Sequence, residues 1–166
     1  MHSTIHWISH EKIANNTLGI MARPRGGDWL NDEIAGLERQ EVNCLVSLLD
    51  YAEAYELNLL GEESLCLASG INFIQFPIAD VSIPRDEKAF IQLVNDLLHR
   101  IHREERVVIH CRMGIGRSSM LAAAIMIIMG CDSSTVFDLI TRCRGLPVPD
   151  TQLQEAWVLA LELTAI

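Results

Sequence analysis

The chain of 166 residues has no C-x-x-C pair, no internal repeat and no tract rich in Pro, Gly or Ser. Without repeats or low-complexity segments, residues 1–166 are expected to form one compact domain with no disordered tail. The length suits a single hydrophobic core. No apolar run is long enough for a membrane helix: the most apolar stretch, Met120 to Met129, has about half the length needed to span a bilayer. A buried helix is expected there instead. Met1 to His10 lacks the basic start and apolar run of a signal peptide, so a cytoplasmic location is expected.

Positive charge is also scarce. Thirteen Lys and Arg stand against 22 Asp and Glu, for a net charge of −9. The averaged field repels polyanions, so neither nucleic acid nor an anionic membrane is the expected partner, although a local basic pocket can still hold one phosphate. The five cysteines, Cys44, Cys66, Cys111, Cys131 and Cys143, are odd in number and lack a secretory context. Reduced thiols in a cytosol are the simplest reading, most of them as small apolar core residues. A monomer is expected.

The patterning alternates strands with helices. Gly19–Ala22, Val42–Leu49 and Asn72–Pro77 read as strands, as does the β-branched run Val107-Val108-Ile109. Asp28 is expected to cap a helix presenting Leu30, Ile34 and Leu37 on one face. A longer helix over Asp86–Arg103 places Phe90, Leu93, Leu97 and Ile101 in one stripe. Beyond Gly116 the chain is apolar on all sides for about three turns, the pattern of a helix in the middle of a domain. Asp132 or Ser133 is expected to cap a further helix with Val136, Leu139, Ile140 and Cys143. Pro147 and Pro149 break it, and Asp150 or Thr151 opens a last helix with Leu153, Trp157, Ala160 and Leu161 inward. The order predicts an α/β domain around a mostly parallel sheet, which binds ligands at the carboxyl ends of its strands. Cys111 falls at such an end.

The segment His110-Cys111-Arg112-Met113-Gly114-Ile115-Gly116-Arg117-Ser118 joins that strand to the apolar helix. Successive backbone N–H groups curled at a helix start make a concave anion site. Gly114 and Gly116 allow the backbone angles and close approach it needs. Arg117 keeps its charge and offers a planar fork to two oxygens. The same field favours the thiolate of Cys111, the competent nucleophile. Taken singly, each of these residues fits an inert strand-to-helix turn; the combination is specific. A Walker-type nucleotide loop is excluded because its Lys-Ser/Thr ending is missing.

His110 to Ser118 resembles the His-Cys-(five residues)-Arg-Ser/Thr signature of the protein tyrosine phosphatase superfamily. The short chain and the late position of the loop resemble the dual-specificity branch, especially compact kinase-associated and bacterial members. The resemblance implies a phosphatase of that fold acting through a phosphocysteine intermediate, with no metal and no cofactor. It implies Cys111 as nucleophile and Arg117 as phosphate ligand, with Arg112, Met113, Gly114, Ile115 and Gly116 completing the binding loop. It also implies a general acid on the loop Phe76–Pro84, where Asp80 matches; Asp86, better suited to a helix cap, and Asp50 are weaker candidates. Ser118 is expected to donate to the cysteine sulfur and His110 to order the loop. Gln154 has two readings, positioning water or closing a Thr151-x-x-Gln154 capping box.

Phosphotyrosine is the expected substrate group, with phosphoserine and phosphothreonine admitted by a shallow pocket, on a phosphoprotein or a small phosphate monoester. Arg112 is the one basic residue among the variable loop positions, which favours a single phosphate over a polyphosphorylated head group. Arg23, Arg25 and Arg85 either flank the mouth or sit in solvent. Cys44 is a candidate redox partner for Cys111 if geometry allows. The alternatives are a phosphoinositide or RNA-end phosphatase, a non-catalytic phosphate-binding module and a rhodanese-like sulfurtransferase. A low-molecular-weight phosphatase would carry its loop near the N-terminus.

Overall fold

The computed structural model describes residues 3–163. Among the described residues, five strands form one sheet in the order β1-β2-β5-β3-β4. They are β1 (His6–Trp7), β2 (Leu18–Met21), β3 (Cys44–Ser47), β4 (Asn72–Gln75) and β5 (Val107–His110). The last four are mutually parallel, and β1 runs antiparallel on the edge of β2. The mostly parallel sheet expected from the sequence is present. The unexpected strand, β1, has two residues, too few for any period to show.

The central strands are apolar throughout because both faces of the sheet are covered. Cys44 and Val46 of β3, with Val107 and Ile109 of β5, point into the larger core cluster. Leu45 and Val108 point into the smaller one. Helices α1 (Leu30–Arg39), α2 (Tyr51–Glu56) and α3 (Glu62–Ala68) come from the connections β2–β3 and β3–β4. Helix α4 (Glu87–His102) is followed after β5 by α5 (Arg117–Ile128), α6 (Val136–Arg144) and α7 (Gln152–Leu159). Residues 117–126 are all buried. Helix α5 touches β2, β5, α4, α6 and α7, so beyond its first turn it is apolar on every side. Phe90 of α4 packs edge-on against Trp157 of α7 and against Phe76, with ring centroids 5.0 and 6.1 Å apart. Such pairs add about 0.5–1.5 kcal/mol beyond their buried area. Among the described residues, no helix is long and apolar enough to cross a membrane.

The helix starts correct three expectations. Asp28 caps nothing: it lies exposed in a 3-10 turn, Gly27–Trp29, and Trp29 precedes α1 with no side-chain bond. The Gly27 N–H is tied instead to Asn58 O at 3.1 Å, which fixes how the chain enters. Neither Asp132 nor Ser133 caps α6, whose N-cap is Thr135. Asp132 closes the preceding turn by accepting from Ser134 N and Oγ at 2.9 and 2.8 Å. In α7, Leu153 is 62% exposed and Ala160 is also exposed; Gln154 and Val158 take the buried positions. The capping box at Thr151 sets that phase. Asp86 does cap α4, accepting from Ala89 N at 3.0 Å.

Candidate active site

Three loops leave the carboxyl ends of β5, β3 and β4 and meet. The first is the His110–Ser118 turn. Every carbonyl along it has a hydrogen-bonding partner outside the bowl. His110 O accepts from Leu48 N at 3.0 Å, and Cys111 O has His110 Nδ1 at 3.2 Å. Arg112 O accepts from Arg23 N at 3.2 Å. Arg144 of α6 donates to Met113 O and Gly114 O at 2.8 and 2.9 Å. Ser119 Oγ serves Ile115 O and Gly116 O. By contrast, no acceptor among the described residues takes the N–H of any residue from Arg112 to Arg117. With the carbonyls held outward, these amides are left for an anion on the concave side.

Gly114 makes this curl possible. Its φ is +67°, and a Cβ there would stand 2.6–2.7 Å from the Met21 and Ala22 backbone. At Gly116 a Cβ would run into the Asp150 carboxylate. Behind the loop, buried His110 donates from Nε2 to the Glu62 carboxylate at 2.6 Å, anchoring the strand end to α3. The Cys111 sulfur is 3.3 Å from Ser118 Oγ.

Arg117 opens α5 with its guanidinium buried. Nη1 and Nη2 bind the two oxygens of Glu53 at 2.6 and 3.0 Å, and Nη1 also donates to Ile78 O at 2.8 Å. Burial opposes its charge, but Glu53, the Cys111 sulfur and Asp80 together hold its proton more tightly than usual. Glu53 comes from the second loop. Asp50, read from the sequence as a weak candidate acid, instead caps α2 in a reciprocal box with Glu53. The Asp50-x-x-Glu53 spacing is a capping-box signal legible in the sequence; that Glu53 also faces Arg117 is not.

The third loop, Phe76–Pro84, carries Asp80. Its Oδ1 accepts from Arg117 Nη2 at 2.9 Å and from its neighbour Val81 N at 3.0 Å, and the side chain is 45% exposed. Thus Asp80 stands at the solvent side of the buried guanidinium. Asp150 is close by. Burial first, and then the Asp80 charge, hold its carboxyl above the ordinary range while Arg117 pulls it back. Gln154 completes the capping box: Oε1 accepts from Asp150 N and Thr151 N at 3.0 and 3.3 Å. Its Nε2 donates to Ser82 O at 2.9 Å, so it fastens the Asp80 loop to α7.

Other candidates are placed apart. Cys44 pairs with Val107 at the start of its strand, four residues short of Cys111, or about 13 Å at strand spacing. A disulfide needs Cα atoms about 5.5–6 Å apart, so Cys44 cannot pair with Cys111. Burial pushes the Cys44 and Cys66 thiols up to about 11 and about 12. Arg23 and Arg25 line a cleft beside the loop, whereas exposed Arg85 lines no part of it. Glu53, Glu62, Arg144 and Asp150 are site residues that the sequence did not disclose.

The family model for the polymorphic toxin system DSP-PTPase phosphatases matches residues 19–131. The 197R protein of Invertebrate iridescent virus 6, provisionally named a tyrosine phosphatase, is 35% identical over 60 residues, 34% of this chain and 23% of the viral protein. The fold is similar to that of kinase associated phosphatase with its catalytic cysteine replaced by serine: TM-score 0.87, 19% identity, covering 95% of this chain and 93% of that one. It is also similar to a Cys-to-Ser form of P. aeruginosa TpbA in complex with pTyr: TM-score 0.61, 19% identity, covering 89% and 82%.

Proposed function

The chain belongs to the DSP-PTPase phosphatase family, and from that premise we propose that it hydrolyses phosphate monoesters through a phosphocysteine intermediate. The observation that carries this reading is the turn from His110 to Gly116, with its carbonyls bound outward and its amides without protein acceptors. Such a bowl binds the phosphate oxygens. The incoming phosphate displaces Asp80 from Arg117 Nη2, and the freed carboxylate takes up a proton from solvent and stands as the acid beside the ester oxygen.

Cys111 thiolate then attacks phosphorus. An S–P bond forms, the P–O ester bond breaks with its electron pair on the leaving oxygen, and Asp80 supplies the proton. Water next attacks the phosphocysteine while Asp80 takes the water proton. The S–P electron pair returns to sulfur, which Ser118 stabilises by donating from its hydroxyl. His110, held by Glu62, and Arg144 keep the loop in shape, and Gln154 holds the acid loop.

The substrate is phosphotyrosine, with phosphoserine and phosphothreonine also accepted, in a phosphoprotein. Arg112 as the lone basic side chain at the variable loop positions supports one phosphate rather than a polyphosphorylated group. A nucleophilic thiol must stay reduced, which supports the cytosol as its working compartment.

Hydrolysis of an aryl phosphate tests the reading. Wild type turns over and accumulates a phosphoenzyme on sulfur when quenched early in alkali. Cys111→Ser has no turnover and Asp80→Asn falls about 10²–10⁴-fold, the loss expected for a general acid. Turnover by Cys111→Ser would refute the thiol mechanism, and binding without turnover in wild type would leave a phosphate-binding module.

A further inference from the structure

We propose that the cleft beside the phosphate loop binds a second anionic group, an acidic or phosphorylated residue flanking the phosphoresidue of a peptide substrate. This specificity site rests on phosphate-ester hydrolysis at Cys111. The cleft, of about 440 Å³, is lined by Ala22, Arg23, Arg25, Leu57, Arg112 and Met113. Arg112 and Met113 belong to the phosphate loop itself, so the cleft adjoins the bowl. The Arg23 N–H bonds to Arg112 O at 3.2 Å, which fixes the end of β2 to the loop.

Three arginines line one cleft in a chain of net charge −9. They are not equivalent. Arg25 is clamped: Nε and Nη2 both reach Glu33 Oε1 at 2.8 Å, and its guanidinium lies 4.6 Å from the Trp29 ring centre. It forms a wall. Arg112 is 3.6 Å from the exposed Glu56 carboxylate, a solvent-screened pair that gives way readily. Arg23 donates to Pro24 O at 3.1 Å, and no carboxylate among the described residues forms an ion pair with it. Its charge is uncompensated and faces a cleft next to the bowl.

The rest of the lining identifies the ligand. Leu57, Ala22 and Met113, the last 59% exposed, give an apolar surface between the charges. A peptide uses both, placing its backbone and aliphatic stems on the apolar part and a carboxylate or phosphate on Arg23. An inositol polyphosphate has no use for Leu57 and Met113, and an anionic bilayer is repelled by the net charge.

Three phosphotyrosine peptides of equal length, with Glu, Ala or Lys next to the phosphoresidue, test the assignment on the full chain, with an aryl phosphate as control. Wild type is expected to favour the Glu peptide over the Ala peptide by about 3- to 10-fold in kcat/KM through KM, an advantage that shrinks with salt. Arg23→Glu removes or inverts this preference and Arg23→Lys keeps it, while all three proteins hydrolyse the aryl phosphate alike. An unchanged peptide preference in Arg23→Glu, with aryl phosphate still hydrolysed, overturns the cleft assignment. Failure of wild type on the aryl phosphate overturns the underlying reading instead. A larger loss on phosphoinositide-containing vesicles than on the Glu peptide would overturn the peptide as ligand.

Discussion

The Glu53 carboxylate grips the Arg117 guanidinium through two hydrogen bonds, 2.6 and 3.0 Å long, with both side chains withdrawn from solvent. A buried cation needs this, because its desolvation is offset only by well-placed partners. Glu53→Ala leaves the charge uncompensated and is expected to lower stability by about 3–5 kcal/mol. Glu53→Gln keeps the shape and one acceptor and costs less, yet frees the guanidinium to turn. Urea denaturation together with kcat on an aryl phosphate checks both. A Glu53→Ala protein as stable and active as wild type would show that Ile78 O and Asp80 suffice to hold Arg117.

At Gly114 the backbone alone forbids a side chain. Its φ of +67° strains any L residue, and the Met21 and Ala22 main-chain atoms at 2.6–2.7 Å cannot yield as a flexible side chain would. Gly114→Ala is expected to cost more than about 1 kcal/mol. Its activity should fall further than its stability, since the amides around the bowl must shift to admit the methyl group. Thermal denaturation measured beside kcat/KM separates the two, and equal activity at reduced Tm would contradict the requirement for a rigid bowl.

Acid should weaken the protein through His6. Arg144 donates to the His6 ring from Nη1 at 3.2 Å while holding Met113 O and Gly114 O. Burial, and then the Arg144 charge, set the His6 pKa below its ordinary 6.5. The folded state thus resists a proton that the unfolded chain accepts. This stabilisation is present above pH 6.5 and lost as pH falls toward the folded value. The Tm of wild type should therefore drop on mild acidification. His6→Gln, which keeps an acceptor for Arg144 but does not titrate, should flatten that drop; an unaltered slope would assign it to other groups.

Much of this was legible in the sequence because it is local. The Val107–Ile109 run, two glycines and the apolar turns beyond Arg117 specify strand, bowl and buried helix within about two dozen residues. The stripe of α4 and its Asp86 cap are similarly self-contained. What was hidden depends on distant pieces of chain. Glu53 reaches Arg117 across 64 residues and Glu62 reaches His110 across 48, and no local pattern encodes such partners. Asp28 and Leu153 were misplaced because local rules yielded to a tether at Asn58 and to the phase set by Thr151 and Gln154.

The segment bearing Asp80 is fastened at several points. Ile78 N bonds to Leu48 O at 3.1 Å, Ile78 O and Asp80 accept from Arg117, and Ser82 O accepts from Gln154. A flap that must swing shut would need most of these bonds to break on every cycle. Secured this way, the segment is preset, and in the proposed mechanism only the Asp80 side chain would have to move on phosphate binding. Turnover would then be governed by bond making and breaking at sulfur rather than by a slow gate, and raising solvent viscosity would leave kcat on an aryl phosphate nearly unchanged.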